Sequence, residues 1–520
     1  MPKRAALCLA TLVALLASTA PTLAGAPKEP TVEDPIVIKS FDGTPIVATL
    51  MLPADASKET PVPAVLQTHG WGGTRQVTPD GLAGRLLDSG YAVLTWDSRG
   101  FGASGGEANV GSPDFEVKDA QELIDYLAKR PEIALEAPGD PLLGWVGGSN
   151  AAGVQFNTAA VERRIDAIVP EISWGDLVGD LVPGDVGKQS WDELLYVAGA
   201  ASGATGGIAS PAGPQTGVYA REIHVGSAQL NSTGQIDAQI RKWFAHKSTT
   251  KRSSKIKAPT LIIQGSIDTL FPLEDGFANY LNLKKAGTPV KLMTYCSGHM
   301  IAGCSYPGGA SGYPEGNDER APIYQDRIVA WLDRYVKGRN VETGPEIEWQ
   351  AQDGIYYGAP RYPLPGTKWF HSKPVSTGTL VGPGPGGGDG AADGNPAPAE
   401  ELGRSAARVV VYPKAKKSVD ILGVPHVTIS GSATGVTAFA FFELVDVAPD
   451  GTRVTLDDQV MPLRLTGDVG HELDLHGVSW RLLKGHALEL EVTTGSTQYQ
   501  IPRTGPFAIS LDVVAHIPTS

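Results

Sequence analysis

One run constrains the fold more than any other: Leu142-Leu143-Gly144-Trp145-Val146-Gly147-Gly148-Ser149-Asn150-Ala151-Ala152-Gly153. An apolar segment that stops at Gly-Gly-Ser and continues in small residues reads as a buried strand, a very tight turn and the start of a helix. In a nucleophile elbow the serine holds a strained backbone conformation between strand and helix, so its neighbours must be small and the amides that follow face a developing oxyanion. Ser149 is therefore the candidate nucleophile. The commoner pattern Gly-x-Ser-x-Gly here ends in Ala151, and an ordinary Gly-Ser turn reads the same way, so the weight falls on partners elsewhere.

The flanking chain supplies a matching scaffold. Strand-like runs over 36–39 and 45–52, joined by Phe41-Asp42-Gly43-Thr44, predict an antiparallel hairpin. Strands over 62–68, 91–96, 142–146 and 167–172 then alternate with helices over 81–89, 115–129 and from Asn150, which predicts a parallel sheet covered on both faces. The alternation breaks over 174–257, read as a helical cap inserted at the ligand end of the sheet. It resumes with a strand over 259–264, a helix over 274–285, a strand over 290–295 and a helix over 323–335. Short alternating runs between Gly, Pro and Asp then predict an all-β sandwich or jelly roll over 343–520, with the boundary near 340.

In an α/β-hydrolase sheet the triad runs serine, acid, histidine, each at the carboxyl end of a strand. Gly265-Ser266-Ile267-Asp268 follows one late strand, and Cys296-Ser297-Gly298-His299 follows what reads as the last strand of the sheet. Asp268 would orient His299, and His299 would take the Ser149 proton and return it to the leaving group. The oxyanion hole is assigned to the Asn150 amide and to Trp71, by its amide or its indole N–H, in the loop His69-Gly70-Trp71-Gly72-Gly73. His69 reads as a brace for that loop. Gly100-Phe101-Gly102-Ala103-Ser104-Gly105 fits the dinucleotide fingerprint, but no helix opens at its last glycine. His471-Glu472-Leu473-Asp474-Leu475-His476 has one residue too many for a zincin helix and lies among strands. The reading calls for no cofactor and no metal.

A formal charge of −13 argues against nucleic acid or an anionic membrane as partner and favours a small ester or short peptide substrate. Lys3 and Arg4, an apolar segment over 5–16 and small residues up to Ala26 read as a signal peptide over 1–26, cut after Ala24 or Ala26, so the chain is expected to be exported. In an oxidising compartment Cys296 and Cys304, on either side of His299, are expected to pair.

These stretches resemble the CocE/NonD hydrolases, which include cocaine esterase and the Xaa-Pro dipeptidyl-peptidases of the S15 type. The resemblance rests on His69-Gly70-Trp71-Gly72-Gly73, on residues 97–106 from Asp97 to Gly106, on Gly147-Gly148-Ser149, on Gly265-Ser266-Ile267-Asp268 and on Gly298-His299. It implies an α/β-hydrolase domain over 27–340 with a helical cap, a C-terminal jelly roll, and acyl transfer through a serine ester. The family commonly has tyrosine after the first His-Gly and after the serine, where this chain has Trp71 and Asn150. Asp97 and Arg99 read under it as structural. A peptidase would need a cap carboxylate for the substrate's α-amine, and Asp176, Asp180, Asp185, Asp192 and Glu193 are available. The alternative from another class is an inactive, hydrolase-like secreted protein that binds a carbohydrate or surface ligand through its jelly roll.

Overall fold

The computed structural model describes residues 29–207, 219–299, 323–351, 355–382, 405–496, 498–499 and 505–520. The expected signal segment and Cys304 lie outside them. The first strands, β1 (Thr31–Lys39) and β2 (Pro45–Leu52), form the expected hairpin. Then follow β3 (Ala64–Thr68), α1 (Gly81–Asp88), β4 (Ala92–Trp96), α2 (Glu116–Leu127), the small hairpin β5 (Leu135–Ala137) with β6 (Asp140–Pro141), β7 (Leu143–Gly148), α3 (Asn150–Ala159) and β8 (Ala167–Glu171). After the cap come β9 (Thr260–Gly265), α9 (Leu273–Lys285), β10 (Val290–Tyr295), α10 (Ile323–Tyr335), β11 (Ile347–Gln350) and β12 (Tyr356–Ala359).

These strands build one sheet in the order β1-β2-β4-β3-β7-β8-β9-β10-β11-β12, parallel from β4 to β11 and antiparallel at both edges. Its central strands are apolar on both sides because both sides are covered. In β4, Ala92, Leu94 and Trp96 join the core with α2, α3 and α9, whereas Val93 joins the core with α1 and α10. Gly144 is needed inside β7: a Cβ there would lie 2.5 Å from Leu332 of α10.

The sheet runs further than the sequence suggests. β11 pairs in parallel with β10 and β12 returns against it, so residues 347–359 belong by hydrogen bonding to the hydrolase sheet and not to the β-rich region assigned to 343–520. The strand before His299 is consequently not the last of the sheet. Ile347-Glu348-Trp349-Gln350 is too short to show a period, and only its pairing with Leu292, Met293 and Thr294 reveals where it belongs.

The cap holds α4 (Leu177–Leu181), a 3-10 turn (Pro183–Asp185), α5 (Gln189–Gly207), α6 (Arg221–Thr233), α7 (Ala238–Ala245) and α8 (Thr250–Ser253), with its own core of Trp174, Leu177, Trp191, Leu230, Ile240 and Phe244. The C-terminal region is all β: β13 (Lys368–His371), β14 (Val375–Gly382), β15 (Ala406–Tyr412), β16 (Val419–Gly423), β17 (His426–Val447), β18 (Arg453–Asp474), β19 (Val478–Leu482), β20 (Ala487–Thr493) and β21 (Phe507–Thr519). Its main sheet is antiparallel throughout, and β16 pairs with β19. This region presses on both cap and sheet. A Cβ on Gly184 of the cap would lie 2.1 Å from the Pro462 carbonyl, and His476 Nδ1 lies 2.7 Å from Glu274 at the start of α9.

Candidate active site

Ser149 sits between β7 and α3 at φ 59°, ψ −125°, a region that L residues avoid and that nucleophile elbows occupy. Its N–H donates to Glu171 O at 2.9 Å, and its carbonyl accepts from Ala152 and Gly153 as the helix opens. The alanine at 151 is accommodated by its neighbour. Gly147 has φ 150°, and a Cβ there would lie 2.9 Å from the Ala151 methyl. Across the cleft, a Cβ on Gly70 would lie 3.3 Å from Ser149 Cβ, so the His69–Gly73 loop closes directly over the nucleophile.

His69 holds that loop as expected. Ser98 N–H donates to His69 Nε2 at 3.0 Å, which leaves the proton on Nδ1 to donate to the Gly70 carbonyl at 2.7 Å. Burial favours this neutral ring and pushes its pKa down. Asp97, fully buried, accepts from Arg75 N, Arg75 Nη1 and Ala103 N, tying the glycine-rich turn. Arg99 reaches instead to Asp119 of α2, through two bonds of 2.7 and 2.6 Å.

Of the two donors allowed to Trp71, the indole is spent: Nε1 donates to Leu195 O of the cap at 3.0 Å. The ring is wedged between Phe101 (centroids 4.8 Å, edge-on) and Tyr219 (5.4 Å, stacked). Its amide, together with that of Asn150, is what remains for an oxyanion. Both residues line the cleft beside Ser149.

The acid and the base meet. Asp268 Oδ2 lies 2.7 Å from His299 Nδ1, and Oδ1 accepts from Leu270 N at 3.0 Å and Phe271 N at 3.1 Å. Two glycines allow this approach. A Cβ on Gly265 would lie 2.2 Å from Ser297 O, and one on Gly298 would lie 2.6 Å from Asp268 Cα, so the loops after β9 and β10 touch backbone to backbone. The His299 ring is packed by the edges of Trp191 of the cap (6.0 Å) and Phe271 (5.2 Å).

The third contact is not made. His299 Nε2 is buried and has no hydrogen-bond partner, so the expected Ser149–His299 hydrogen bond is absent. Nucleophile and base sit on separate loops, and in substrate-free enzymes such bonds tighten only when a ligand draws the two together.

Cys296 is buried and disulfide-bonded. His476 is engaged with Glu274 and Tyr499, while His471 lies on β18 opposite Ile429. Among the described residues no group of three His, Cys, Asp or Glu side chains is placed to hold a metal.

Among the described residues the cleft is apolar apart from the elbow, Tyr196 and one carboxylate: Trp71, Val110, Trp174, Leu195, Leu270 and Phe271 surround Ser149, Asn150 and Asp192. The other cap acids are engaged elsewhere: Asp176 with Ser248, Asp180 beside Asp275, Asp185 with Arg241, Glu193 with Gln189. Asp192 accepts from Ser227 at 3.2 Å, and burial raises its pKa to about 6.

Two contributors were not legible in the sequence. Gln459 Nε2 donates to Asp268 O at 3.0 Å, and Lys188 Nζ to Leu270 O at 3.1 Å. Gln459 gets there because β18 bulges: Leu456–Gln459 leave the ladder between the Val445–Thr455 and Glu443–Val460 pairs, with Asp457 and Asp458 at φ 51° and 56°. The signal for it is Asp457-Asp458-Gln459, three polar residues in a row inside an otherwise alternating strand.

A strained serine elbow on a seven-stranded parallel core, a histidine and a buried aspartate after later strands, and a cap closing the cleft define an α/β hydrolase. The chain belongs to the X-Pro dipeptidyl-peptidase (S15) family, whose model matches residues 42–301, half of its length. Among solved structures it is similar to a CocE/NonD family hydrolase from Staphylococcus aureus (TM-score 0.67, 15% identity, 95% of this chain and 94% of that one). It is also similar to an α-amino acid ester hydrolase (TM-score 0.64, 15% identity, 97% and 100%). An aminopeptidase from a marine sediment Thaumarchaeota archaeon shares the fold as well (TM-score 0.67, 13% identity, 98% and 99%). Among curated proteins it is 31% identical over 134 residues to an uncharacterized 31.7 kDa protein of the traX-finO intergenic region of Escherichia coli, covering 26% of this chain and 44% of that one. It is 30% identical over 121 residues to the quorum-quenching protein AidA of Acinetobacter baumannii, covering 23% and 38%. The chain thus spans less than half the length of these two relatives.

Proposed function

We propose that this chain is an exported serine hydrolase in which Ser149, His299 and Asp268 act as the triad on an acyl donor with a free amine close to the scissile bond. The observation that carries the reading is the 2.7 Å Asp268–His299 hydrogen bond, which fixes the ring tautomer and leaves the buried Nε2 without a partner, ready to receive a proton. As Ser149 attacks, His299 takes its proton, and the amides of Trp71 and Asn150 hold the developing oxyanion. His299 then returns the proton to the leaving alcohol or amine, and water repeats the sequence to free the acid.

Asp192 refines the substrate. A lone carboxylate in an apolar cleft favours a cation, and an α-ammonium one residue from the scissile bond fits it. Of the two readings open from sequence, an Xaa-Pro dipeptidyl-peptidase needs such a group, and an acyl esterase would use it where its ester carries an α-amine. The similarity to an aminopeptidase and to an α-amino acid ester hydrolase supports an amine-bearing substrate without choosing between them. The C-terminal β region, a jelly roll in this reading, supports the cap and the acid loop, Cys304 closes the disulfide with Cys296, and the segment over 1–26 directs export.

The test compares turnover of a Gly-Pro anilide with that of a short α-amino acid ester, alongside labelling by a serine-directed phosphonate. Labelling of the wild type and not of Ser149→Ala, with turnover of at least one substrate, is expected. A wild type that neither reacts with the phosphonate nor turns over either substrate ends the proposal.

A further inference from the structure

A second cavity stands back to back with the catalytic cleft. Val110, Ile223 and Phe244 face the cleft, while their neighbours Asn109, Glu222, Trp243 and Ala245 face this cavity, so one layer of chain divides the two. Its volume of about 660 Å³ falls in the range of pockets that hold small molecules, roughly 300–1,000 Å³.

Its charge opposes that of the rest of the chain. In a protein of net charge −13, this cavity is lined by Lys242, Lys247, Lys251, Arg252 and Lys255. The carboxylates that face it are Asp114 and Glu222, and Asp114 is already paired with His246 at 3.1 Å. Among the described residues, none of the five cations is in an ion pair. Arg252 donates to Ser248 O and meets His246 Nδ1 at 3.4 Å, which turns the guanidinium toward the same space.

Lys247 is the telling member. It is 2% exposed, and among the described residues its ammonium meets the Trp243 carbonyl at 2.7 Å and the Trp243 ring face at 3.1 Å. An ammonium removed from water without a paired counter-ion is costly: burial lowers the pKa of this one to about 7, although the charges of Glu116, Glu222 and Asp114 act the other way from a distance. A bound anion would supply a direct partner, and Arg252 and the lysines at the rim can donate charge-assisted hydrogen bonds to its oxygens.

We propose that this cavity is a binding site for a small multivalent oxyanion, a phosphate ester or a polycarboxylate, separate from the catalytic cleft. Nucleic acid is disfavoured by the overall charge, and the volume suits a compact ligand.

The experiment is calorimetric titration of the full chain with inorganic pyrophosphate and, in parallel, with citrate, at constant ionic strength in chloride. The wild type is compared with Lys251→Ala/Lys255→Ala, whose positions are exposed and outside the cleft. Saturable binding of one anion per chain is expected, weakened at least about tenfold in the double variant, while its melting temperature and ester turnover stay unchanged. Binding of pyrophosphate alone assigns a phosphate ester, of citrate alone a polycarboxylate, and of both the shared oxyanion chemistry. No saturable heat with either anion, or equal affinity in the double variant, overturns the proposal.

Discussion

Gln459 donates its side-chain amide to the main-chain carbonyl of Asp268 across 191 positions of sequence. The acid of the site is thereby held from three directions: by its own loop through the Leu270 and Phe271 amides, by the cap through Lys188, and by the β region through Gln459. The C-terminal region thus reaches the loop whose carboxylate bonds His299.

Gln459→Glu keeps the shape and removes the donor, facing a carbonyl with an acceptor. Stranding a buried polar group costs about 1–3 kcal/mol. We expect kcat to fall roughly three- to tenfold with little change in KM, measured well below the melting temperature. A variant with lower thermal stability but wild-type kcat would reduce Gln459 to a structural tether.

Asp192 gives a substrate-dependent pH profile. Its pKa of about 6 lies above the unperturbed carboxylate value, so the charge that would hold an ammonium is lost as pH falls through 6. An α-amine, with a pKa of about 7.7–8.0, stays protonated throughout that range. KM for a Gly-Pro anilide should rise between pH 7 and pH 5, and KM for an uncharged ester should not. Asp192→Asn should raise the first by about tenfold or more at pH 7 and flatten its profile.

Cys296 lies three residues before His299, and its disulfide anchors the loop that carries the base. Reduction should lower kcat and free the Cys296 thiol, followed by alkylation and mass spectrometry. Full activity with that thiol free would show that the loop needs no such anchor.

Glu443, half-buried in β17, accepts from Thr455 and faces the like charge of Glu491, and desolvation lifts its pKa to about 7. Its folded-state value exceeds the unfolded one, so protonation favours the fold and that contribution is lost as pH rises toward 7. Glu443→Gln should match the wild type near pH 4, gain on it between about pH 4.5 and 7 and level off above, by about 1–3 °C in melting temperature. A constant difference across the range would assign the effect to packing.

What the sequence disclosed was local. The sheet strands, the helices over them and the elbow each carry a period or a turn signal within a few residues, and Asp268 and His299 were found by their place just after strands. Tertiary partners were not disclosed. Nothing near Trp71 announces that Leu195 consumes its indole, and nothing among the cap acids separates Asp192 from its neighbours until α5 and α6 are packed. The boundary near 340 failed for a related reason: β11 and β12 are four residues each, and a parallel strand that short is defined by its pairing.

The methyl of Ala151 occupies the space that any side chain at position 147 would enter. Glycine at 147 is fixed three times over, by that methyl, by the Thr68 carbonyl 3.2 Å from where a Cβ would stand and by its own φ of 150°, so a library randomised at 147 alone will return glycine. The alanine that makes the motif look irregular adds to a lock that the backbone already sets.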